Sequence, residues 1–244
     1  MTLKDKVIIV TGASRGIGQA VAILLAKNGA KVIVNHSKSP EKAKQTVAHI
    51  CENGGTALAI QADVSQREQV RRLFDKSIAH FGRVDVLVNN AGIMYNRLLK
   101  DHSQEEFTRL FDVNVRGVFN TLQEAERKLS DHGTIINFSS STVKLMFPQY
   151  ALYSATKAAV EQITRVFAKE VGRGISVNAI APGATATDLF LKGKTPETIE
   201  QLKAMNAFHR LAEPIDIAKI VLFLASDDAK WISGQVIGAN AALV

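Results

Sequence analysis

The feature that most constrains the fold is a regular alternation of short apolar runs with amphipathic helical stretches over 244 residues. Strand-like runs are predicted near 7–11, 31–35, 57–61, 85–88, 133–138, 175–180 and 234–237. Helical stretches are predicted near 16–28, 40–53, 66–81, 103–129, 152–172 and 214–225. This order is typical of a parallel sheet with helices on both faces and right-handed crossovers. The sequence therefore predicts an α/β fold, a doubly wound, seven-stranded parallel sheet in three αβα layers.

A glycine-rich turn follows the first apolar run. The β-branched run 7–10 leads directly into residues 11–18, which contain Gly12, Gly16 and Gly18, and then into a helical stretch. A buried strand, a glycine turn and a helix N-terminus together can hold a pyrophosphate, because backbone N–H groups and the helix dipole face the anion. Glycine allows the close approach that a Cβ would block. The spacing differs from the commonest dinucleotide fingerprint, but its context predicts a nucleotide site.

A tyrosine and a lysine stand four residues apart at Tyr153 and Lys157. On a helix, residues at this spacing share a face. An adjacent ammonium favours the phenolate, so we expect Lys157 to lower the pKa of Tyr153 from its ordinary value of about 10. The pair predicts a general acid that works near neutral pH. The structural alternative is a packed ring beside a solvated charge.

Further motifs follow other predicted strands at residues 89–92, at residues 139–141 and at the pair Pro182 and Gly183. Asn114 lies in a later predicted helix. With the glycine turn and the Tyr–Lys pair, their order and spacing resemble the short-chain dehydrogenase/reductase family over nearly the whole chain. The resemblance is to the single-domain type, in particular to 3-oxoacyl-[acyl-carrier-protein] reductases and NADPH-dependent carbonyl reductases. It implies a Rossmann-type fold. Sugar-alcohol dehydrogenases share the same motifs.

The resemblance assigns four catalytic residues. Tyr153 would protonate the substrate carbonyl oxygen as hydride arrives at the carbon, and Lys157 would also hold the nicotinamide ribose. Ser140 would donate a hydrogen bond to the same oxygen, and Asn114 would hold a water that relays protons to Lys157. Strand alternation places the two flanking serines on the side opposite Ser140. The alternatives are that Ser140 is one of three hydroxyls ending a strand and that Asn114 caps or bends its helix.

The resemblance also assigns a set of cofactor-binding positions. They are Gly12, Ser14, Arg15, Gly16, Ile17, Gly18, Asn35, His36, Ser37, Asp63, Val64, Asn90, Ala91, Gly92, Tyr153, Lys157, Pro182, Gly183, Thr185 and Thr187. Asn90–Gly92 would pass close to the adenosine ribose, and Pro182 and Gly183 would form the wall behind the nicotinamide. Thr185 and Thr187 would bind the carboxamide through backbone or hydroxyl groups. Asp63 has an alternative role as a helix N-cap.

The end of the second strand favours NADP(H) over NAD(H), although NAD(H) stays possible. An NAD site usually offers an acid here for the ribose hydroxyls, and residues 31–40 contain none. His36 takes the acid's place, Asn35 and Ser37 can donate hydrogen bonds, and Arg15 can reach a 2′-phosphate. The alternative is that Arg15 and Lys38 point into water.

Composition excludes other functions. The net charge is +7, but Lys and Arg are spread along the chain without a basic tract, so nucleic-acid binding is not expected. No apolar run approaches the roughly 18–20 residues of a membrane span. A strand is reached by Val7 without a signal-like segment. We expect one domain, residues 1–244, in a cytoplasmic protein without a metal, and a buried or half-buried thiol at Cys51 in a helix.

The segment at about 187–210 is predicted to be a lid over the site. Its apolar residues are Leu189, Phe190, Leu191, Met205 and Phe208. Other apolar residues near the motifs are Met94, Tyr95, Met146, Phe147 and Tyr150. They favour a ketone or aldehyde with a hydrophobic body, unless they pack beneath the lid or in a subunit interface.

The C-terminal residues 234–244 depart from the family pattern, because small apolar residues replace a polar residue and paired glycines. We expect this tail to alter a subunit contact or the rim of a neighbouring pocket. The resemblance implies a homotetramer, with a dimer possible. The favoured function is NADP(H)-dependent reduction of a small-molecule ketone or aldehyde to an alcohol. The alternatives are oxidation of a sugar or polyol, and a non-catalytic nucleotide-binding module.

Overall fold

The computed structural model describes residues 2–244, which contain one seven-stranded parallel sheet. Its strands are β1 (Val7–Val10), β2 (Lys31–His36), β3 (Thr56–Gln61), β4 (Val86–Asn89), β5 (Thr134–Phe138), β6 (Ser176–Pro182) and β7 (Val236–Ala239). The spatial order is β3-β2-β1-β4-β5-β6-β7, with every neighbouring pair parallel. The order reverses between β1 and β4, and ligands of such sheets bind beyond the carboxyl ends of the strands at that point. The predicted fold is confirmed.

Helices connect the strands and cover both faces of the sheet. They are α1 (Gly16–Lys27), α2 (Pro40–Glu52), α3 (Arg67–Phe81), α4 (Gln104–Phe111), α5 (Gly117–Lys128), α6 (Thr142–Leu145), α7 (Ala151–Glu170), α8 (Asp188–Leu191), α9 (Pro196–Ala204) and α10 (Pro214–Ala225). The apolar character of β1 reflects burial on both sides. Ile8 and Val10 pack in a core with α1 and α10. Val7 and Ile9 pack in a second core with α3, α5 and α7.

The stretch predicted as one helix near 103–129 is divided by a π-helical segment, Asp112–Arg116. A capping box between Ser103 and Glu106 begins α4 by satisfying N-terminal backbone groups. The π-helical segment then continues into α5 without a break. Such segments widen one turn of a helix and are frequent at functional sites. Here the widened turn carries Asn114.

Cys51 lies in α2 as predicted, but it is exposed, so the expected buried or half-buried thiol is wrong. The buried residues of α2 are Ala43, Thr46 and Ile50, spaced by three and four residues. Cys51 is rotated by about 100° from Ile50 around the helix axis, which turns it away from the core. None of the helices within residues 2–244 combines the length and apolar character that a membrane crossing requires.

Candidate active site

The glycine turn after β1 is shaped by two close contacts. Gly12 has a φ of +63°, and a Cβ there would lie 2.9 Å from the Cα of Ala91. A Cβ on Gly18 would lie 2.4 Å from Asn90 Nδ2 and 2.5 Å from the Gly12 carbonyl oxygen. Neither position has room for a side chain without movement of the backbone. The turn is therefore a bare backbone surface of the kind that accommodates a phosphate.

Residues after β4 hold this turn in place. The Asn90 amide donates to the carbonyl oxygens of Thr11 and Gly12 at 2.9 and 3.1 Å. The Ala91 backbone N–H donates to the Thr11 hydroxyl at 3.0 Å. Helix α1 begins directly after the turn and has no acidic residue in its first turn, so its positive dipole end is not neutralised there. The turn and this helix end fit a pyrophosphate.

His36, the last residue of β2, and Arg15, the residue before α1, are the two positions that the sequence suggested for a 2′-phosphate. His36 is buried, and burial lowers its pKa. Its Nδ1 atom is buried without a hydrogen-bond partner within residues 2–244. Arg15 stands just before α1 and is exposed, so its guanidinium is accessible to an anion. Ser37 is half-buried.

The expectation that Asn35 can donate hydrogen bonds to the cofactor is wrong. Its side chain is buried, and its amide donates to the carbonyl oxygens of Ile60 and Ala62 at 3.2 and 3.1 Å. Its Oδ1 accepts from the Gly12 N–H at 3.3 Å. The donors of Asn35 are therefore used inside the protein. Asn35 instead ties β2 to the residues around β3 and to the glycine turn.

Asp63 and Val64 follow β3. The Asp63 carboxylate accepts from the backbone N–H and hydroxyl of Ser65 at 3.0 and 2.7 Å. These bonds and nearby Arg109 outweigh burial and hold the Asp63 pKa below its usual range. Gln66, not Asp63, is the N-cap residue of α3, so the alternative N-cap role is wrong. Val64 is buried, and its carbonyl accepts from the Asn120 amide at 2.9 Å.

Tyr153 and Lys157 lie on α7, with the Lys157 Nζ atom 5.8 Å from the centre of the Tyr153 ring. The ammonium points to the carboxyl end of β5 and donates to the Phe138 carbonyl at 2.7 Å. Burial lowers the pKa of Lys157 to about 8. Near neutral pH the lysine therefore still carries a proton.

The expectation that Lys157 lowers the pKa of Tyr153 is contradicted in the protein without ligand. Burial raises the pKa of Tyr153 to about 12, with the Ser140 hydroxyl acting in the opposite direction and Tyr150 adding to the rise. The reason is loss of water around the phenolate, while the ammonium is directed at the Phe138 carbonyl. Tyr153 is consequently a protonated phenol at neutral pH, which is the form that a proton donor needs.

The serines after β5 differ in their hydrogen-bond partners, but all three of them, Ser139, Ser140 and Ser141, line one cleft, so the predicted placement of the flanking serines on the opposite side is not confirmed. Ser139 donates to the buried Glu161 carboxylate on α7 at 2.8 Å. Ser140 Oγ accepts from the backbone N–H and the hydroxyl of Thr142 at 3.2 and 3.0 Å. The Ser140 hydroxyl can still donate its own hydrogen. It lines the same cleft as Tyr153.

Asn114 joins the loop after β4 to α7. Its amide donates to the Ile93 carbonyl at 2.9 Å and to the Thr156 hydroxyl at 3.1 Å, and its Oδ1 accepts from the Ile93 N–H at 2.9 Å. Asn114 therefore does more than cap or bend its helix. A Cβ on Gly92 would be 3.4 Å from Asn114 Oδ1 and 3.6 Å from Lys157 Nζ. Asn114 and Lys157 thus border the same point, Gly92.

Strand β6 ends in the wall formed by Pro182 and Gly183. The Thr185 hydroxyl donates to the Gly183 carbonyl at 3.0 Å. The Thr187 hydroxyl accepts from the Phe190 N–H at 3.3 Å as the N-cap of α8. The two hydroxyls are thus engaged within the chain, so a carboxamide would be bound more readily by backbone groups of this segment.

These elements line a partly open cleft, in which the empty space of about 920 Å³ includes open solvent. Asn90, Gly92, Ser140, Tyr153 and Lys157 line it. Its apolar and aromatic lining consists of Ile17, Met94, Phe138, Leu145, Phe147, Tyr150, Leu189, Phe190, Leu202 and Leu243. Tyr95 and Met146 were expected here but do not line the cleft.

Several lining residues were not expected from the sequence, and three of them are leucines. Leu145 belongs to the short helix α6, Leu202 to α9 and Leu243 to the C-terminal tail. Leu202 could have been found from its place in the predicted lid, but Leu243 follows no motif. Among residues 2–244, no group of three His, Cys, Asp or Glu side chains is placed to hold a metal ion.

Comparison with known proteins shows that this chain is similar to oxidoreductases. A family model described as "Enoyl-(Acyl carrier protein) reductase" matches residues 12–241. Versicolorin reductase stcU of Emericella nidulans is 42% identical over 251 residues, which cover 98% of this chain and 95% of that protein.

Two solved structures are similar over the full fold. A short-chain dehydrogenase/reductase from Serratia marcescens has a TM-score of 0.95 and 33% identity, covering 100% of this chain and 99% of that chain. The angucycline C-6 ketoreductase LanV with bound NADP has a TM-score of 0.94 and 36% identity, covering 99% of this chain and 96% of that chain.

Proposed function

The chain belongs to the short-chain dehydrogenase/reductase family of oxidoreductases, and on that basis we propose that it is an NADPH-dependent carbonyl reductase. It would reduce a ketone or aldehyde to an alcohol. The observation that carries this proposal is the protonated Tyr153 phenol beside the Ser140 hydroxyl in an apolar cleft. These two groups provide a proton and a hydrogen bond for one substrate oxygen.

Each catalytic residue has a distinct part in the proposed reaction. A reduced nicotinamide supplies the hydride when it is bound. Tyr153 transfers its phenolic proton to the carbonyl oxygen, and Ser140 donates a hydrogen bond to that oxygen as negative charge develops. The Lys157 ammonium stabilises the tyrosine anion that remains. A water held by Asn114 returns a proton through Lys157.

Two residues support the preference for NADPH. No acidic side chain lies between Lys31 and Pro40, so a 2′-phosphate meets no fixed negative charge from this segment. Exposed Arg15 offers a charge-assisted donor, and buried His36 offers a nitrogen without a protein partner. NADP is the ligand bound to the similar ketoreductase LanV. NAD(H) would bind without the contribution of Arg15.

The lining of the cleft supports an apolar substrate. Met94, Phe147 and Tyr150 lie on one set of loops, and Leu189 and Leu202 on the proposed lid. Two of the similar proteins are named as a versicolorin reductase and an angucycline C-6 ketoreductase. We propose a ketone on a wide, hydrophobic body. A sugar or polyol would leave its hydroxyls facing apolar side chains, which is unfavourable.

The lid and the assembly are further parts of this proposal. Segment 187–210, which holds α8 and α9, would close over a bound substrate and exclude water. Phe119 and Val166 lie exposed on α5 and α7, and Trp231 is exposed shortly before β7. Such apolar groups favour contacts between copies. They support self-association of the chain. We propose a homotetramer in the cytoplasm, and light scattering after size exclusion would distinguish it from a dimer.

The experiment that tests the function is NADPH oxidation, with NADH in parallel, against a panel of carbonyl compounds. The panel contains acetoacetyl thioesters, aldehydes, α-diketones, fused-ring aromatic ketones and ketose sugars. We expect turnover with NADPH and highest kcat/KM for a fused-ring ketone. Tight NADPH binding without turnover of any carbonyl would contradict the proposal and favour the non-catalytic module. In a parallel assay with polyols and NADP⁺ or NAD⁺, oxidation of a polyol without reduction of any carbonyl would favour the sugar-alcohol dehydrogenase.

A further inference from the structure

The C-terminal tail, residues 240–244, folds over the cleft. Its first residue, Asn240, packs on the wall after β6, where a Cβ on Gly183 would lie 3.0 Å from the Asn240 Cα. Three residues later, Leu243 lines the cleft. The tail therefore spans from the wall proposed to lie behind the nicotinamide to the apolar part of the site. The pocket rim that it alters belongs to its own chain.

The path of the tail is set by an unusual backbone turn. Ala241 and Ala242 have φ values of 51° and 57°, in the left-handed region that side chains other than glycine seldom adopt. Two successive alanines hold this conformation only where surrounding contacts enforce it. The Ala207 N–H donates to the Ala241 carbonyl at 3.0 Å, and the Leu243 N–H donates to the Asn240 carbonyl at 3.1 Å. The turn directs Leu243 inward.

The same turn connects the tail to the lid segment. Ala207 lies in segment 187–210, just after α9, and α9 contributes Leu202 to the cleft lining. The tail and the lid thus supply neighbouring parts of one apolar wall and share a backbone hydrogen bond. Val244, the next residue, does not line the cleft and is 45% exposed. Adjacent residues of the tail therefore face different environments.

We propose that the tail is a specificity element of the proposed reductase, in which Leu243 contacts the apolar body of a wide ketone. This inference rests on the proposed function and adds the residue that selects substrate size. A fused-ring ketone would gain the contact with Leu243. A short aliphatic ketone would reach Tyr153 without it.

The test compares Leu243→Ala with Val244→Ala as the matched control, using β-tetralone as the wide ketone and ethyl acetoacetate as the short one. For Leu243→Ala we expect the KM for β-tetralone to rise about 10-fold, since a few buried methyl groups give discrimination of this size. Its kcat, its KM for ethyl acetoacetate and its dissociation constant for NADPH should stay within about twofold. Val244→Ala should behave as the unmutated protein.

A second variant tests the same wall by enlarging the side chain at position 243 instead of shortening it. Leu243→Trp narrows the cleft, so we expect it to raise the KM for β-tetralone and to spare ethyl acetoacetate. Thermal unfolding identifies any variant that has lost its fold. An equal effect on both ketones, or equal behaviour of the Leu243→Ala and Val244→Ala variants, would overturn the inference. Failure of the proposed function would instead appear as absence of turnover by the unmutated protein.

Discussion

Replacing Lys157 by Met should make the ligand-free protein more stable at neutral pH. Lys157 is 5% exposed, and its ammonium donates to the Phe138 carbonyl. Burial lowers its pKa from 10.5 to about 8, so folding at pH 7 places a charge in an unfavourable environment. Methionine keeps a similar length and removes the charge.

The magnitude follows from the pKa difference. Each pKa unit corresponds to about 1.36 kcal/mol, so the unfavourable contribution of burying the charged form is about 3 kcal/mol at pH 7. Loss of the donor to the Phe138 carbonyl offsets about 1–2 kcal/mol of the gain. We therefore expect Lys157→Met to raise the free energy of unfolding by about 1–2 kcal/mol at pH 7.

The pH dependence gives the sharper test. Because the folded pKa is lower than the unfolded one, the unfolded chain binds more protons between pH about 8 and 10.5. The stability of the unmutated protein should rise with pH relative to Lys157→Met in that window. The advantage of the variant should be full below pH about 8, and it should fall by about 3 kcal/mol and reverse in sign as the pH approaches 10.5.

The assay is urea unfolding followed by circular dichroism, without nucleotide, at one protein concentration and several pH values from 7 to about 10. The control is Lys169→Met, at an exposed position of the same helix, which should change stability by less than about 0.5 kcal/mol. A Lys157→Met variant that is less stable at pH 7, or a difference independent of pH, would refute the reasoning.

The remaining predictions concern cofactor binding. Arg15→Ala should weaken the binding of NADPH at least about 10-fold, because a charge-assisted hydrogen bond to the 2′-phosphate is lost. The binding of NADH, measured by the same calorimetry, should weaken less than about threefold. Lys38→Ala is its control, and equal weakening of both nucleotides by Arg15→Ala would refute the phosphate contact. Gly18→Ala should lower the free energy of unfolding by about 1–3 kcal/mol, because the added Cβ would displace Asn90 or the Gly12 carbonyl. It should also weaken the binding of both nucleotides. Unchanged thermal unfolding and unchanged affinity would contradict this account of the turn.

Much of the fold could be predicted from the sequence, because the central strands are buried along their length and carry apolar runs. β1 is the clearest case, since Ile8 and Ile9 pack into different cores. Motifs after the strands converge because all strands of a parallel sheet end at the same edge. The serines after β5 are an exception, because strand alternation predicts opposite sides whereas Ser139, Ser140 and Ser141 all line the cleft.

Other features depend on tertiary environment and were not accessible from spacing. The four-residue interval between Tyr153 and Lys157 does not reveal that the tyrosine is buried, so the predicted direction of the Tyr153 pKa shift was wrong. The end of β2 does not reveal that the Asn35 amide turns toward β3. The inward path of Leu243 depends on the left-handed backbone conformation of Ala241 and Ala242. An alanine in a sequence gives no sign that it will adopt this conformation.

The burial of Lys157 connects stability to the proposed function. A charged side chain in this position weakens the ligand-free fold, and its retention is explained by a task that requires the charge. In the proposed reaction that task is stabilisation of the Tyr153 anion after proton transfer. The Lys157→Met variant should therefore be more stable without ligand and should lose turnover.

The measurement that tests the central claim most directly is turnover by Tyr153→Phe on the best carbonyl substrate, together with its affinity for NADPH. Phenylalanine retains the ring and removes the proton that the account assigns to catalysis. We predict a loss of turnover of at least about 10²-fold, the lower range for general acid catalysis, with NADPH affinity nearly unchanged. Turnover at the rate of the unmutated protein would contradict the claim that Tyr153 is the proton donor.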